Sequence, residues 1–109
     1  MARAWAWFYK PSAVLSLVQE LGDENRISVL FRDPEEQEDV IVIGPITREM
    51  ACYPFLDVRH QIRRFGLKKA IAEHYTRVLA RGGAVVCIDT PDDGTFRTLG
   101  ELHAHDVLV

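Results

Sequence analysis

Cysteine is scarce in this chain: Cys52 and Cys87 are the two present, and they form no Cys-x-x-Cys pair. That scarcity argues against a disulfide-stapled scaffold and against a thiolate-rich zinc module, and two free thiols in a reducing, cytoplasmic setting are the simplest account. Long apolar runs are missing as well, since no stretch approaches the ~20 residues that a bilayer-spanning helix requires. No membrane span is expected. The opening residues, Met1 to Tyr9, carry Arg3 and a short apolar run interrupted by Lys10 and Pro11, without a small-residue cleavage site, so no export signal is expected either. An excess of basic residues is also absent. Lys and Arg total 13 against 16 Asp and Glu, the formal charge is −3 and the pI about 5.8, which provides no global attraction for nucleic acid or an anionic membrane. Catalytic signatures are lacking too: there is no Gly-x-Ser-x-Gly elbow, no Walker loop and no carboxylate pair whose spacing assigns two roles.

What is present is the material of one globular domain spanning residues 1–109, with 48% hydrophobic and 27% charged residues. Trp5, Trp7 and Tyr9 alternate with Ala4, Ala6 and Phe8, a period of two that predicts a first strand. After Pro11 and Ser12, the apolar positions Val14, Leu15, Leu17, Val18 and Leu21 form one helical stripe, and Gly22 stops it. Ile27, Val29 and Phe31 share one side of a second strand that Asp33 and Pro34 end. The acidic run Glu35, Glu36, Glu38 and Asp39 reads as a solvated turn, and Val40 to Ile43 as a short extra strand or edge segment. Val58, Ile62 and Phe65 suggest a short linking helix ending at Gly66.

The second half repeats the pattern. Leu67, Ala70, Ile71, His74, Val78 and Leu79 form a helical stripe closed by Gly82-Gly83, and Ala84 to Ile88 is a continuous run suited to a central strand covered on both faces. Thr90 as N-cap, Pro91 at the first helical position, and Asp92 and Asp93 in the first turn predict a last helix with Phe96, Leu99 and His103 facing inward, before a closing strand from Val107 to Val109. Two strand–helix–strand units can share a sheet with both crossover helices on one face. The expected fold is an α+β, ferredoxin-like two-layer sandwich: βαβ, a helical linker, then αβαβ, around an antiparallel or mixed four-stranded sheet.

The segment from Leu67 to Val109, with His74-Tyr75, Arg81-Gly82-Gly83-Ala84-Val85-Val86 and Asp89-Thr90, resembles the C-terminal half of small bacterial heat-induced or general stress protein domains of the YflT-like type. Ile27-Ser28-Val29-Leu30 stands where that family has its second strand. Members often carry a glycine-rich apolar segment between the halves, whereas Gly44 to Gly66 here is polar, basic and aromatic. The resemblance implies a stress-linked, non-enzymatic domain and supplies no catalytic residues.

Candidate site residues fall into four groups. Trp5, Trp7 and Tyr9 share one face of the first strand and Ala4, Ala6 and Phe8 the other, so both faces are apolar; if helices cover one, the other meets a second copy in a homodimer, the alternatives being that Gly44 to Gly66 folds back over it or that it takes a ligand. Base stacking on this strand is disfavoured, because Val85, Val86, Cys87 and Ile88 give the corresponding central strand no aromatic platform. Arg59, Arg63, Arg64, Lys68 and Lys69 concentrate positive charge that could hold an anion, against the plainer reading of solvated faces and surface ion pairs. Gly82-Gly83 follows a helix and therefore caps it, whereas phosphate-cradling glycines precede one.

Cys52, Asp57, His60, His74, His103, His105 and Asp106 offer metal-ligand types without a recognised spacing, so neither metal nor other cofactor is expected. Cys87 should pack as a small hydrophobe, leaving Cys52 as the candidate reactive thiol. For catalysis, His60, His74 and Asp89 are the residues to test, with a buried core histidine as the alternative for His74. The leading expectation is a stress-associated, self-associating interaction module without catalysis. The alternative is a small-ligand or anion-binding domain, or a weakly marked enzyme using His60 or His74.

Overall fold

A computed structural model of the chain describes residues 3–10, 12–22, 26–32, 35, 39–44, 52–54, 63 and 67–108. Among these residues the elements follow as β1 (Arg3–Phe8), α1 (Ser12–Leu21), β2 (Ile27–Arg32), β3 (Asp39–Ile43), β4 (Cys52–Pro54), α2 (Lys69–Ala80), β5 (Ala84–Asp89), α3 (Asp93–Glu101) and β6 (His105–Leu108). The strands form one six-stranded sheet in the order β4-β3-β2-β5-β1-β6, and every neighbouring pair is antiparallel. β5 lies between β1 and β2, with Phe8 opposite Ala84 and Arg3 opposite Asp89. Its apolar run is buried throughout, as a strand covered on both faces must be. The two strand–helix–strand units therefore share one layer.

The four-stranded, two-layer expectation is corrected in two respects. β3 pairs with β2 from Val29↔Ile43 to Arg32↔Val40, and β4 adds a further strand that the short segment Cys52 to Pro54 does not advertise. Helices also lie on both faces of the sheet. Leu17 of α1 and Leu99 of α3 are fully buried with Ala4, Ala6, Phe8, Val86 and Ile88 on one face. Ala72, Tyr75, Val78 and Leu79 of α2 pack with Trp5, Trp7, Leu30, Val85 and Cys87 on the other. The cause is the period-two alternation of β1, which turns two large aromatic rings to one side and two alanines and a phenylalanine to the other.

That second cover corrects the premise for an open interface at the first strand. Trp5 and Trp7 retain 3% and 8% exposure beneath the chain's own helix, whereas Tyr9 keeps 71%. Buried Cys87 packs among these rings as a small apolar side chain. The apolar stripe of α2 is rotated from the expected one: Ala72 and Tyr75 point inward, Ala70 is exposed and His74 stands half-buried at the edge.

Helix ends also shift. Thr90 is not the N-cap of α3, because it occupies a left-handed turn with φ 46°. Asp92 takes the role: its carboxylate accepts from the Thr95 backbone N–H at 2.8 Å while the Thr95 hydroxyl accepts from the Asp92 N–H at 3.3 Å, a reciprocal capping box. At the other end His103 is exposed beyond the helix at φ 58° rather than facing inward, and Ala104 N–H bonds the Leu99 carbonyl at 2.9 Å. Bonds from His103 N–H to Gly100 O and from Ala104 N–H to Leu99 O form a Schellman closure, with a histidine where glycine is usual. β6 consequently begins at His105. No helix among the described residues is long and apolar enough to cross a membrane.

Candidate functional site

The second large feature of the α2 face is a cavity of about 240 Å³ where β1 ends, β5 begins and α2 closes, lined by Trp7, Tyr9, His74, Arg77, Val78, Arg81 and Gly83. Three of these come from α2, and a fourth, Arg81, caps its C-terminus. Positions 74, 77, 78 and 81 are spaced i, i+3, i+4 and i+7, so they share a face over two turns. Arg77 and Arg81 are exposed, and neither guanidinium has a carboxylate partner among the described residues.

The floor depends on glycine. Gly82 has φ 85°, and the bonds Gly82 N–H to Leu79 O and Gly83 N–H to Val78 O, at 3.1 and 3.0 Å, close the helix by a Schellman motif. A Cβ at Gly83 would lie 2.7 Å from Val78 Cγ1 and 2.8 Å from the Phe8 carbonyl oxygen, so a bare backbone lets α2 turn directly into β5 beside β1.

Beside the cavity, two of its lining residues are held by a bulge in β6. β1 and β6 pair as Trp5↔Leu108 and Trp7↔His105, so two residues on β1 span three on β6 and Asp106 occupies the shifted stretch. Asp106 sits at φ 49°, a conformation that costs a non-glycine residue about 1–2 kcal/mol and that aspartate tolerates better than most. The turn brings its carboxylate to the edge of the cavity. Oδ2 accepts a hydrogen bond from Trp7 Nε1 at 2.7 Å and pairs with His74 Nε2 at 2.7 Å, while the Tyr75 hydroxyl donates to the Asp106 backbone carbonyl at 3.2 Å.

These contacts set the protonation states. The Trp7 N–H and the His74 bond hold the Asp106 carboxyl below its ordinary range, so it is an anion that can only accept. An anionic carboxylate oxygen can only accept, so His74 Nε2 is the donor of this bond. Burial, and secondarily the Asp106 charge, push the Tyr75 hydroxyl well above its usual value and keep it a donor.

Around Trp7 the rings form a cluster. His105, its cross-strand partner, stacks at 4.5 Å and 24°, Tyr9 meets it edge-on at 4.9 Å and 81°, and His74 edge-on at 5.8 Å and 72°. Tyr9 also packs edge-on against His105 at 4.7 Å. The cavity thus has an aromatic side fixed by ring contacts and a side lined by two arginines.

No protein-family model, curated protein or solved structure matches the chain.

Of the candidates expected from sequence, Trp7, Tyr9 and His74 meet in this cavity, whereas Trp5 is buried farther along β1 against Tyr75, ring centroids 6.3 Å apart. His74 is 39% exposed at its side chain and paired with Asp106, which replaces the core-histidine alternative. Asp89 lies at the opposite end of the sheet, bonded to Arg3 Nε at 3.2 Å, and shares no site with His74. Arg63 and Lys68 are exposed, and Lys69 approaches Glu73 at 4.0 Å; none lines the cavity. Arg59, His60, Arg64 and the expected helix from Phe55 to Phe65 lie outside the described residues, apart from Arg63 itself, as does Asp57. Cys52 falls in β4. The described residues contain no group of three His, Cys, Asp or Glu side chains placed to share a metal ion.

Sequence reading missed Arg77, Arg81 and the role of Asp106. The arginines were legible in principle from their helical spacing with His74. The bulge that aims Asp106 had no local signal, because it arises from the pairing of β6 with β1.

Proposed function

We propose that the chain binds a small anionic ligand in the cavity between the end of β1 and the last two turns of α2. The observation that carries this reading is that Arg77 and Arg81 both line one concave site and that neither has a carboxylate partner among the described residues. Arginine suits such a role because its planar fork of donors matches a carboxylate or phosphate edge. The Asp106 carboxylate bonds Trp7 and His74 rather than either arginine, and it fixes the aromatic wall that the ligand would meet. Self-association, the other reading, would need a surface different from the one formed by Trp5 and Trp7, which α2 covers.

We also infer that the framework is a ferredoxin-like core carrying an insertion. The support is the strand order β2-β5-β1-β6, with α1 and α3 on one face, and β3, β4 and α2 entering between β2 and β5. On this view the ligand site belongs to the insertion's helix rather than to the core's own crossover helices.

Isothermal titration with a panel of small carboxylates and inorganic phosphate tests the binding reading. At least one anion should bind at a single saturable site, and Arg77→Gln with Arg81→Gln should weaken it by about tenfold or more, as expected for losing charge-assisted hydrogen bonds. Both arginines are exposed, so the double variant keeps the fold.

A further inference from the structure

Resting on that anion-binding reading, we propose that the ligand is a planar aromatic monocarboxylate, its carboxylate on Arg77 and Arg81 and its ring against the Tyr9 and Trp7 side of the cavity. Size comes first. A volume of about 240 Å³ is many times the ~10–15 Å³ that one water needs on this measure, so an inorganic anion would leave most of it unfilled. One aromatic ring with a small acidic head uses that space.

Shape follows from the walls. Tyr9 is 71% exposed yet held edge-on by Trp7 and His105, so a flat hydrophobic surface is presented to solvent at no further cost in ordering. Val78 and the backbone of Gly83 close the base, where a side chain at Gly83 could not be accommodated without displacing Val78 or β1. A flat ring can lie against the exposed face of Tyr9 more fully than a puckered one.

Charge selects the head group. The arginines lie four residues apart, a rise of about 6 Å along the helix, and together they can grip one carboxylate or flank it. The Asp106 anion, bonded to the two ring nitrogens at the cavity edge, opposes a second negative charge on the ligand. A monoanion meets that repulsion once, and a phosphate dianion twice.

Three probes separate the possibilities: benzoate, cyclohexanecarboxylate, which keeps the charge and loses planarity, and inorganic phosphate. Titrated into the full chain near neutral pH, benzoate should bind roughly three- to tenfold more tightly than either of the others, the range expected for aromatic packing beyond area burial. Tyr9→Leu should lower the affinity for benzoate and leave that for cyclohexanecarboxylate nearly unchanged; Tyr9 is exposed enough for this variant to fold. If cyclohexanecarboxylate or phosphate equals or exceeds benzoate while Arg77→Gln with Arg81→Gln still abolishes binding, the ligand class is wrong and the anion site survives. If no probe binds in an arginine-dependent way, both fall.

Discussion

The two faces of the sheet solve the same packing problem with different chemistry. On the side of α1 and α3, β1 contributes Ala4, Ala6 and Phe8, and the buried partners Leu17, Leu99, Val86 and Ile88 carry no side-chain polar atom. On the side of α2 it contributes Trp5 and Trp7, whose partners include Tyr75, so the cover brings indole N–H and phenol groups that need acceptors. Asp106 serves two of them, through its carboxylate and its backbone carbonyl. An apolar face can be sealed from end to end. A face built on aromatic rings with polar handles must keep its acceptors near water, and that is where this molecule has its cavity.

The largest effect that would sharpen the contrast is expected on the sealed face. Leu99→Ala removes a fully buried side chain where α3 meets the sheet and should cost about 2–5 kcal/mol in denaturant unfolding, the range for large-to-small core changes. Titration of whatever fraction remains folded should give unchanged anion affinity. A substantial loss of affinity per folded molecule would mean that the two faces are not independent.

A smaller effect belongs to the other face. Asp106→Ala leaves the indole N–H of Trp7, a residue only 8% exposed, without its acceptor and should cost about 1–3 kcal/mol. Relief of the left-handed backbone does not offset this, since alanine tolerates φ 49° less well than aspartate. Unlike Leu99→Ala, this change should also weaken anion binding, because His74 and Trp7 lose their shared anchor.

The smallest effect is the response to acid. The folded Asp106 carboxyl is held below its ordinary value of 3.8 by the bonds from Trp7 and His74. Its contribution to stability is therefore complete above that ordinary value and is lost as pH falls through the lower, folded one. Unfolding followed from pH 6 down to 2 should lose stability mainly below about 4. Asp106→Asn should flatten part of that slope, and an identical slope in the variant would show that the carboxylate does not report on folding.

Sequence reading recovered one of these faces better than the other, for a physical reason. Local signals, such as the alternation of Trp5 to Phe8, the stripe of α1 and the run Ala84 to Ile88, were enough to place β1, α1 and β5, and to join both strand–helix–strand units in one layer. They did not reveal that α2 covers Trp5 and Trp7, because a helix stripe reports that a helix packs and not which face of a sheet it packs on. The small rotation that buries Ala72 and Tyr75 and leaves His74 at the edge was invisible for the same reason. Thr90 looked like a helix cap until the left-handed turn at φ 46° gave the role to Asp92. Three residues of the candidate site were legible as residue types, Trp7, Tyr9 and His74; the partner that joins Trp7 to His74, Asp106, depends on a register shift that no single strand encodes.

Trp5 and Trp7 are the two tryptophans of the chain and lie on the same face, one packed against Tyr75 and the other at the cavity. The most direct measurement follows their two indole N–H signals by heteronuclear NMR as benzoate is added. A saturable shift of the Trp7 signal with the Trp5 signal nearly still, abolished by Arg77→Gln with Arg81→Gln, is the predicted result. A Trp7 signal that stays fixed at millimolar benzoate, or one that moves equally in the double variant, would contradict an arginine-held anion at this end of the sheet.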